Sequence, residues 1–232
     1  MKAVILAAGK GTRLGSMTTG TPKCLVEIGG RPILDYQLAG LEAAGVDDIV
    51  VVAGYLADQV IAHAAGRYRV LINDKYDSSN SIYSLWVARE EAAGKDFVLL
   101  NGDVVADPEL LVELVRCPSR CAALVDEQKA CRDGEMNVVI EGEKITAFSK
   151  QVPAAAASAE SAQITRFGAE QSSLLFQRIE ELVKEGAIQH FPAQAYDAVF
   201  AGSGMAPVYT QGRWHFEIDT PEDHARCEQF LA

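Results

Sequence analysis

Four short apolar runs, at residues 4–6, 49–52, 70–72 and 97–100, alternate with segments of helical periodicity. This alternation constrains the fold more than any other feature, because strands joined through helical crossovers pair in parallel and need cover on both faces. Between the first two runs, Ile33, Leu34, Leu38 and Leu41 recur at helical spacing behind Pro32, and Gly45 stands where a helix would stop. Further crossovers follow at 55–65 and 81–93, the latter with Ile82, Leu85 and Val87 or Ala88 inward. The pattern predicts an α/β chain with a mostly parallel sheet flanked by helices.

After Asp103 the rhythm changes. A helix is expected over 108–115 and a strand over 122–125, followed by short alternating strands around 136–140 and 144–149 joined by Glu141-Gly142-Glu143. This hairpin is expected to extend the sheet, so that 126–168 forms a hairpin and lid subregion of a single domain spanning 1–232. The alanine-rich stretch 152–162 reads as a loop because Pro153 interrupts it. An amphipathic helix over 172–185, ended by Gly186, and a closing helix over 221–231 complete the chain.

Charge narrows the partners. With 21 basic against 32 acidic side chains the net charge is −11, which disfavours a nucleic acid. The opening apolar run at 3–8 is far shorter than the ~20 residues a membrane helix needs. It is also too short for a secretory signal, and leads into Gly9-Lys10-Gly11, so the expected location is cytoplasmic, with no membrane partner. Cys24, Cys117, Cys121, Cys131 and Cys227 are odd in number and show no paired C-x-x-C spacing, which points to reduced thiols. His63, His190, His215 and His224 fall in no triad or metal spacing. The sequence leaves a homo-oligomer open.

Chemistry concentrates in Leu6-Ala7-Ala8-Gly9-Lys10-Gly11-Thr12-Arg13-Leu14, followed by Pro22-Lys23. A buried strand opens here into glycines whose backbone N–H groups can approach an anion, with Lys10, Arg13 and Lys23 adding positive charge. It is a phosphate cradle of neither common type. No glycine precedes a Lys-Ser or Lys-Thr pair at P-loop spacing, and Leu14 stands where the dinucleotide fingerprint needs its third glycine. Asp103 follows the strand at 97–100 directly, at a carboxyl end where ligands of open α/β sheets bind. Glu217 and Asp219 are two apart on an expected strand and so share a face. Thr220-Pro221-Glu222-Asp223 reads as a helix N-cap with an acidic first turn. Asp103 and Asp219, with Glu217 as a third candidate and triphosphate oxygens completing the shell, suit octahedral Mg²⁺.

These residues resemble the signature of nucleotidyltransferases that load a phosphorylated metabolite onto a nucleoside triphosphate. The likeness is strongest to cytidylyltransferases acting on phosphocholine and small phosphonates. It extends over Asn73-Asp74, Ser79-Asn80-Ser81-Ile82-Tyr83-Ser84-Leu85, Asn101-Gly102-Asp103, the segment 145–150, and Glu217-Ile218-Asp219-Thr220-Pro221-Glu222-Asp223. The resemblance implies a Rossmann-like fold of the sugar-phosphate nucleotidylyltransferase type. It also implies Mg²⁺-dependent transfer of CMP from CTP to a small phosphonate or phosphomonoester, with release of pyrophosphate. Such an acceptor is largely anionic near neutrality, since the second phosphate pKa is ~6, and needs no catalytic base.

By the same resemblance, Arg13 and Lys23 hold the triphosphate, Lys10 lies near the leaving group, and Lys150 reaches the acceptor phosphate. Leu6, Ala7, Ala8, Gly9, Lys10, Gly11 and Thr12, with Asn80 and Ser81, bind the nucleotide, although Asn80 equally fits a helix N-cap. A choline-like acceptor would draw on Tyr36, Tyr83, Trp86, Tyr196, Trp214 and Asp197, and a compact phosphonate on Lys129, Arg132 and Arg166. Relatives often carry a lysine where Asn137 stands. Two other functions fit less of the pattern: a sugar-1-phosphate nucleotidyltransferase using another triphosphate, and a non-catalytic nucleotide-binding module.

Overall fold

The computed structural model describes residues 1–202 and 204–231. Strand β1 (Lys2–Ala7) is followed by the glycine turn, 3₁₀ segments at Thr12–Thr18 and Lys23–Leu25, the small ribbon β2 (Glu27–Ile28) and β3 (Arg31–Pro32), and helix α1 (Ile33–Ala43). The alternation continues through β4 (Asp48–Ala53), α2 (Ala57–Ala64), β5 (Arg69–Ile72), α3 (Ser81–Val87), α4 (Arg89–Ala92) and β6 (Phe97–Asn101). All four expected strands and their crossovers are present. They lie side by side as β5-β4-β1-β6, each pair parallel.

Both faces of this sheet are covered, as continuous apolar strands require. Along β1, Ile5 packs into a cluster with Leu34, Leu41 and Leu110, while its neighbours Val4 and Leu6 face Ile82, Leu85 and Phe97 on the other side. Each such side chain contributes roughly 1.5–3 kcal/mol on burial. From β1 the chain first builds outward through β4 and β5 and returns to add β6 on the opposite flank. The order therefore reverses between β1 and β6, and a crevice opens beyond their carboxyl ends. Gly102 lies in that crevice, with its N–H donating to Leu6 O at 2.8 Å. A Cβ at Gly102 would stand 2.8 Å from that same oxygen, so only glycine fits.

The second half adds β7 (Val104–Ala106), α5 (Pro108–Arg116), β8 (Ala122–Asp126), β9 (Asn137–Glu141), β10 (Lys144–Ser149) and β11 (Ala159–Phe167). Helices α6 (Ala169–Lys184) and α7 (Asp197–Ala201), strands β12 (Ala206–Tyr209) and β13 (His215–Glu217), and helix α8 (Pro221–Leu231) follow. Strand β11 runs antiparallel to β6 and also pairs with β8 and β9, so the β9–β10 hairpin does extend the sheet.

The loop expected over 152–162 is corrected. Only its first part is irregular, with a 3₁₀ turn at Ala154–Ala156, and from Ala159 the chain is buried strand. Pro153 limits only its own vicinity, whereas the backbone from Ala159 onward pairs with β8 on one side and β9 on the other. Helix α6 also begins at Ala169, ahead of the expected 172. Among the described residues no helix is long and apolar enough to cross a membrane.

The pairing of β13 with β7 matters most for the site. Glu217 is opposite Val104, and Ile218 N donates to Asp103 O at 2.9 Å, which brings the chain's late acids against the end of β6.

Candidate active site

Asp103, Glu217 and Asp219 converge so closely that one carboxylate oxygen from each lies within 4.8 Å of the others. Asp103 enters from the turn after β6. Glu217 ends β13, and Asp219 falls just beyond it, so the expected shared strand face is replaced by a strand end and a turn. The turn is fixed by the helix that follows. Asp223 accepts from Thr220 N (3.0 Å) while Thr220 Oγ1 accepts from Asp223 N (3.2 Å), a reciprocal cap that gives Thr220 and Asp223 the structural role expected of them.

Lys23 reaches the acids from the opposite wall. Its Nζ donates to Asp103 Oδ2 at 2.5 Å and to Asp219 Oδ1 at 2.6 Å. Gly11 makes room for this side chain: at φ +62° it takes a left-handed turn, and a Cβ there would sit 3.0 Å from Lys23 Cβ. Arg13 approaches the other oxygen of Asp219, with Nη2 to Oδ2 at 3.0 Å, from an exposed position.

The electrostatics follow from this crowding. Burial by itself would lower the Lys23 pKa, but the charges and hydrogen bonds of Asp103 and Asp219 outweigh it and hold the ammonium above its ordinary value. Burial would raise Asp219, yet Lys23 and Arg13 keep it below the usual carboxylate range. Among the described residues Glu217 accepts no hydrogen bond from a cation, and the charges of Lys23 and Lys150 offset its burial only in part. Burial first, and then repulsion by Asp103 and Asp219, pushes its carboxyl up to about 8. Asp103 Oδ1 is buried and has no hydrogen-bond partner among the described residues. An orphaned carboxylate oxygen beside two further acids, with oxygen donors only, is a set that fits a hard divalent cation.

Two cavities meet at Glu217 and Asp219, and Asp103 lines the smaller of them. The smaller, about 330 Å³, lies in the crevice at the ends of β1 and β6. Leu6, Ala7, Ala8, Gly9, Gly11 and Thr12 line it, as do Asn80 and Ser81. Lys10 does not, and instead holds its Nζ 5.6 Å from the Tyr76 ring centroid. Asn80 also caps α3, its side chain accepting from Ser81 N at 2.7 Å, so both expected roles coexist. The larger cavity, about 830 Å³, is walled by β13, the start of β11 and the segment after β8. Arg13, Lys150, Gln163, Glu217 and Asp219 line both.

The expected acceptor residues divide. Lys129 and Arg132 line the larger cavity, as does Trp214. Arg166 does not: it is buried and donates to the Val115 and Cys117 carbonyls, closing the end of α5. Tyr196 packs in the core against Phe148 and Phe167, Tyr83 stacks on Trp86, and the Tyr36 hydroxyl donates to Ile28 O. Asp197 opens α7 at the surface beside Arg178. Asn137 is fully buried and donates to the Arg132 and Val152 carbonyls, which makes it a staple of the hairpin. His215 faces Asp126 at 3.7 Å, with burial holding its pKa below the ordinary histidine value.

Among the lining residues that the sequence pattern does not single out are Glu160 and Gln163. Both lie on β11: Glu160 falls in the stretch expected to be a loop and Gln163 directly follows it, and isolated polar residues in the mixed run AESAQITRF carry no motif. Glu160 is buried on the wall of the larger cavity; its Oε1 accepts from Lys129, and its Oε2 has no hydrogen-bond partner among the described residues.

The family model of the MobA-like NTP transferase domain matches residues 3–215. A choline-phosphate cytidylyltransferase of Streptococcus pneumoniae is 45% identical over 95 residues, covering 40% of this chain and 41% of the relative. The CTP:phosphoglutamine cytidylyltransferase of Campylobacter jejuni is 33% identical over 135 residues, covering 55% and 53%. The CMP-5'-(3-aminopropyl)phosphonate synthase of Streptomyces rubellomurinus is 38% identical over 127 residues, 53% of this chain and 20% of that protein. The matched segments thus span about half or less of these relatives. Among solved structures, the CTP:phosphocholine cytidylyltransferase of Streptococcus pneumoniae superposes with a TM-score of 0.84 at 24% identity, covering 100% of this chain and 99% of its own. The inositol-1-phosphate CTP transferase of T. maritima gives 0.78 at 21%, covering 100% and 97%. These structures share the fold, and the family model spans most of the chain: it belongs to the MobA-like NTP transferase family.

Proposed function

We propose that this chain transfers CMP from CTP to a small phosphonate or phosphomonoester, with Mg²⁺ as its metal. The observation that carries this reading is the convergence of Asp103, Glu217 and Asp219, the latter two lining both cavities at their seam and Asp103 the smaller, with Lys23, Arg13 and Lys150 around them. The smaller cavity takes the nucleotide and the larger the acceptor. An acceptor oxygen forms a bond to the α-phosphorus as the bond to the bridging oxygen of the leaving group breaks, and pyrophosphate departs with that electron pair. The acceptor arrives as an anion, so no side chain must remove a proton.

What the chain supplies is alignment and positive charge. Asp103 and Asp219, with Glu217, would hold the Mg²⁺, which when bound neutralises phosphoryl oxygens. Lys23 and Arg13 stabilise charge on the triphosphate, and Lys150 draws the acceptor anion to the seam. The backbone of Leu6, Ala7, Ala8, Gly9, Gly11 and Thr12 cradles the nucleotide, while Asn80 and Ser81 present polar groups to its base. Glu160, with one oxygen unclaimed, favours an acceptor bearing a primary ammonium at its far end.

The test is pyrophosphate release with each of the four nucleoside triphosphates against phosphocholine, aminoethylphosphonate, hydroxyethylphosphonate and sugar phosphates. CTP with an aminoalkyl acceptor should turn over fastest, and Asp103→Asn should lower that rate by about 100-fold or more in a protein that still folds. A preference for another triphosphate with a sugar phosphate would replace this reading. Binding of nucleotide without turnover on any acceptor would favour a non-catalytic module.

A further inference from the structure

Four non-glycine residues have positive φ among the described residues: Leu56, Ala65, Gln163 and Gln211. Leu56 and Ala65 flank helix α2, and Gln211 lies in a surface turn. Gln163 alone sits inside a strand, at φ +61°. There the ladder is broken. Between Ser161 and Thr165 strand β11 advances four residues while β8 advances two, from Val125 to Ala123. Bulges re-aim side chains, and a glutamine in the left-handed region is strained where glycine would be at ease.

The bulge aims Gln163 at the seam. Of the five residues lining both cavities, Arg13, Lys150, Glu217 and Asp219 are the charged groups already described, and Gln163 is the neutral one. Its side chain is held at one end only: Oε1 accepts from Asn101 Nδ2 at 3.1 Å. Asn101 is itself anchored, since its carbonyl accepts from Gln37 Nε2 at 2.6 Å. With the carbonyl end fixed, the two N–H groups on Nε2 find no acceptor among the described residues. A fixed amide donor at the meeting point of two anionic groups has one evident use.

We infer that Gln163 is a further catalytic residue, whose Nε2 donates to a phosphoryl oxygen where acceptor and α-phosphate meet. This rests on the phosphoryl-transfer reading of the site. A neutral donor stabilises charge there without competing with the cation for the three carboxylates. Strain at this position is then the cost of placing a side chain where glycine would serve the backbone better.

The test separates backbone from side chain. Gln163→Gly relieves the strained φ, so its melting temperature should equal or exceed that of the wild type, while its kcat should fall by about 100-fold, the loss expected for one donor to a developing oxyanion. Gln163→Glu keeps the shape and the oxygen facing Asn101 but removes both donors, and its kcat should fall as far. Nucleotide affinity, measured by calorimetry with CTP, should change much less than kcat in both variants. Turnover within twofold of wild type in either variant, or a melting temperature in Gln163→Gly that drops in step with activity, would overturn the role alone. A wild-type chain inactive with every triphosphate and acceptor would overturn the parent reading and this role together.

Discussion

Lys23 Nζ lies 2.6 Å from Asp219 Oδ1 although 196 residues separate them in the chain. The same ammonium also bonds Asp103, so it stands between two carboxylates in a partly buried cleft, with Arg13 on the outer oxygen of Asp219 and a third carboxyl, of pKa about 8, beside them. Removing that charge leaves like charges facing each other with little solvent between them. Lys23→Met should therefore destabilise the protein in chelator by about 1–3 kcal/mol, which at this chain length lowers the melting temperature by about 2–4 °C per kcal/mol. Added Mg²⁺ or Mn²⁺ should raise the melting temperature of the variant more than that of the wild type, because a divalent cation then neutralises the acids without displacing a lysine. Thermal shifts with and without metal check this, and equal metal-induced shifts would contradict it.

The turn that carries Asp219 depends on its neighbour Thr220. That hydroxyl accepts from Asp223 N at 3.2 Å, and also donates to Asp223 Oδ2 at 2.9 Å, so it serves both as N-cap and as a brace on the capping carboxylate. Thr220→Ala should cost about 1 kcal/mol of stability, with Thr220→Ser losing much less. If Asp219 is positioned by this cap, Thr220→Ala should also weaken metal binding in calorimetric titration. A variant with lowered stability and unchanged metal affinity would confine the cap to a structural role.

How much of this was legible beforehand depends on the range of the signal. The parallel core was readable because runs such as 97–100 and the spacing of Ile33, Leu34, Leu38 and Leu41 are local, and local periodicity decides between strand and helix. The glycine turn was readable because Gly11 and Lys23 act on one another across a short stretch of chain. Asp103 and Asp219 could be chosen separately, but their convergence comes from β13 pairing with β7, a contact no local pattern encodes. Arg166 illustrates the opposite failure. Near the expected acceptor segment it looked like an anion ligand, whereas the carbonyls left unpaired at the end of α5 claim it. Gln163 was invisible because the features that single it out are a backbone angle and a bulge, and neither follows from the residue type.

The cysteines offer a check on the core. Cys24 and Cys121 are 1% and 2% exposed, and burial pushes both thiols up to about 12; Cys227 is also buried and is pushed to about 11. A thiol with pKa near 12 is ionised to about one part in ten thousand at pH 8, and the thiolate is the nucleophile. Cys117 and Cys131 are half-buried. Iodoacetamide at pH 8 should therefore label the native protein at Cys117 and Cys131, with Cys24, Cys121 and Cys227 modified only after unfolding. Mass spectrometry of the labelled peptides gives the result directly, and fast labelling of Cys24 would mean that the packing beneath the glycine turn opens readily.

Acid should weaken the far end of the sheet through Lys2. This lysine is buried at the start of β1, with Nζ 2.6 Å from Asp48 Oδ2 and 3.3 Å from Glu91 Oε2, and Arg69 bonds both acids from outside. The hydrogen bond from Lys2, more than any other cause, holds the Asp48 carboxyl below its ordinary value. Because the folded pKa lies below the unfolded one, the unfolded chain binds more protons between the two values. The contribution is therefore complete above about pH 4 and is lost as pH falls through the folded pKa. The Asp48 side chain is 53% exposed, so solvent screening keeps the contribution to about 1 kcal/mol or less. Asp48→Asn should lower stability by that amount at pH 7 and flatten the decline below about pH 4. In 1 M salt, where the Debye length is about 3 Å, the difference from wild type should shrink. Denaturant titrations at pH 7 and pH 3, each at low and high salt, measure all three effects. An unchanged acid limb in Asp48→Asn would show that the buried Lys2 ammonium is held by Glu91 instead.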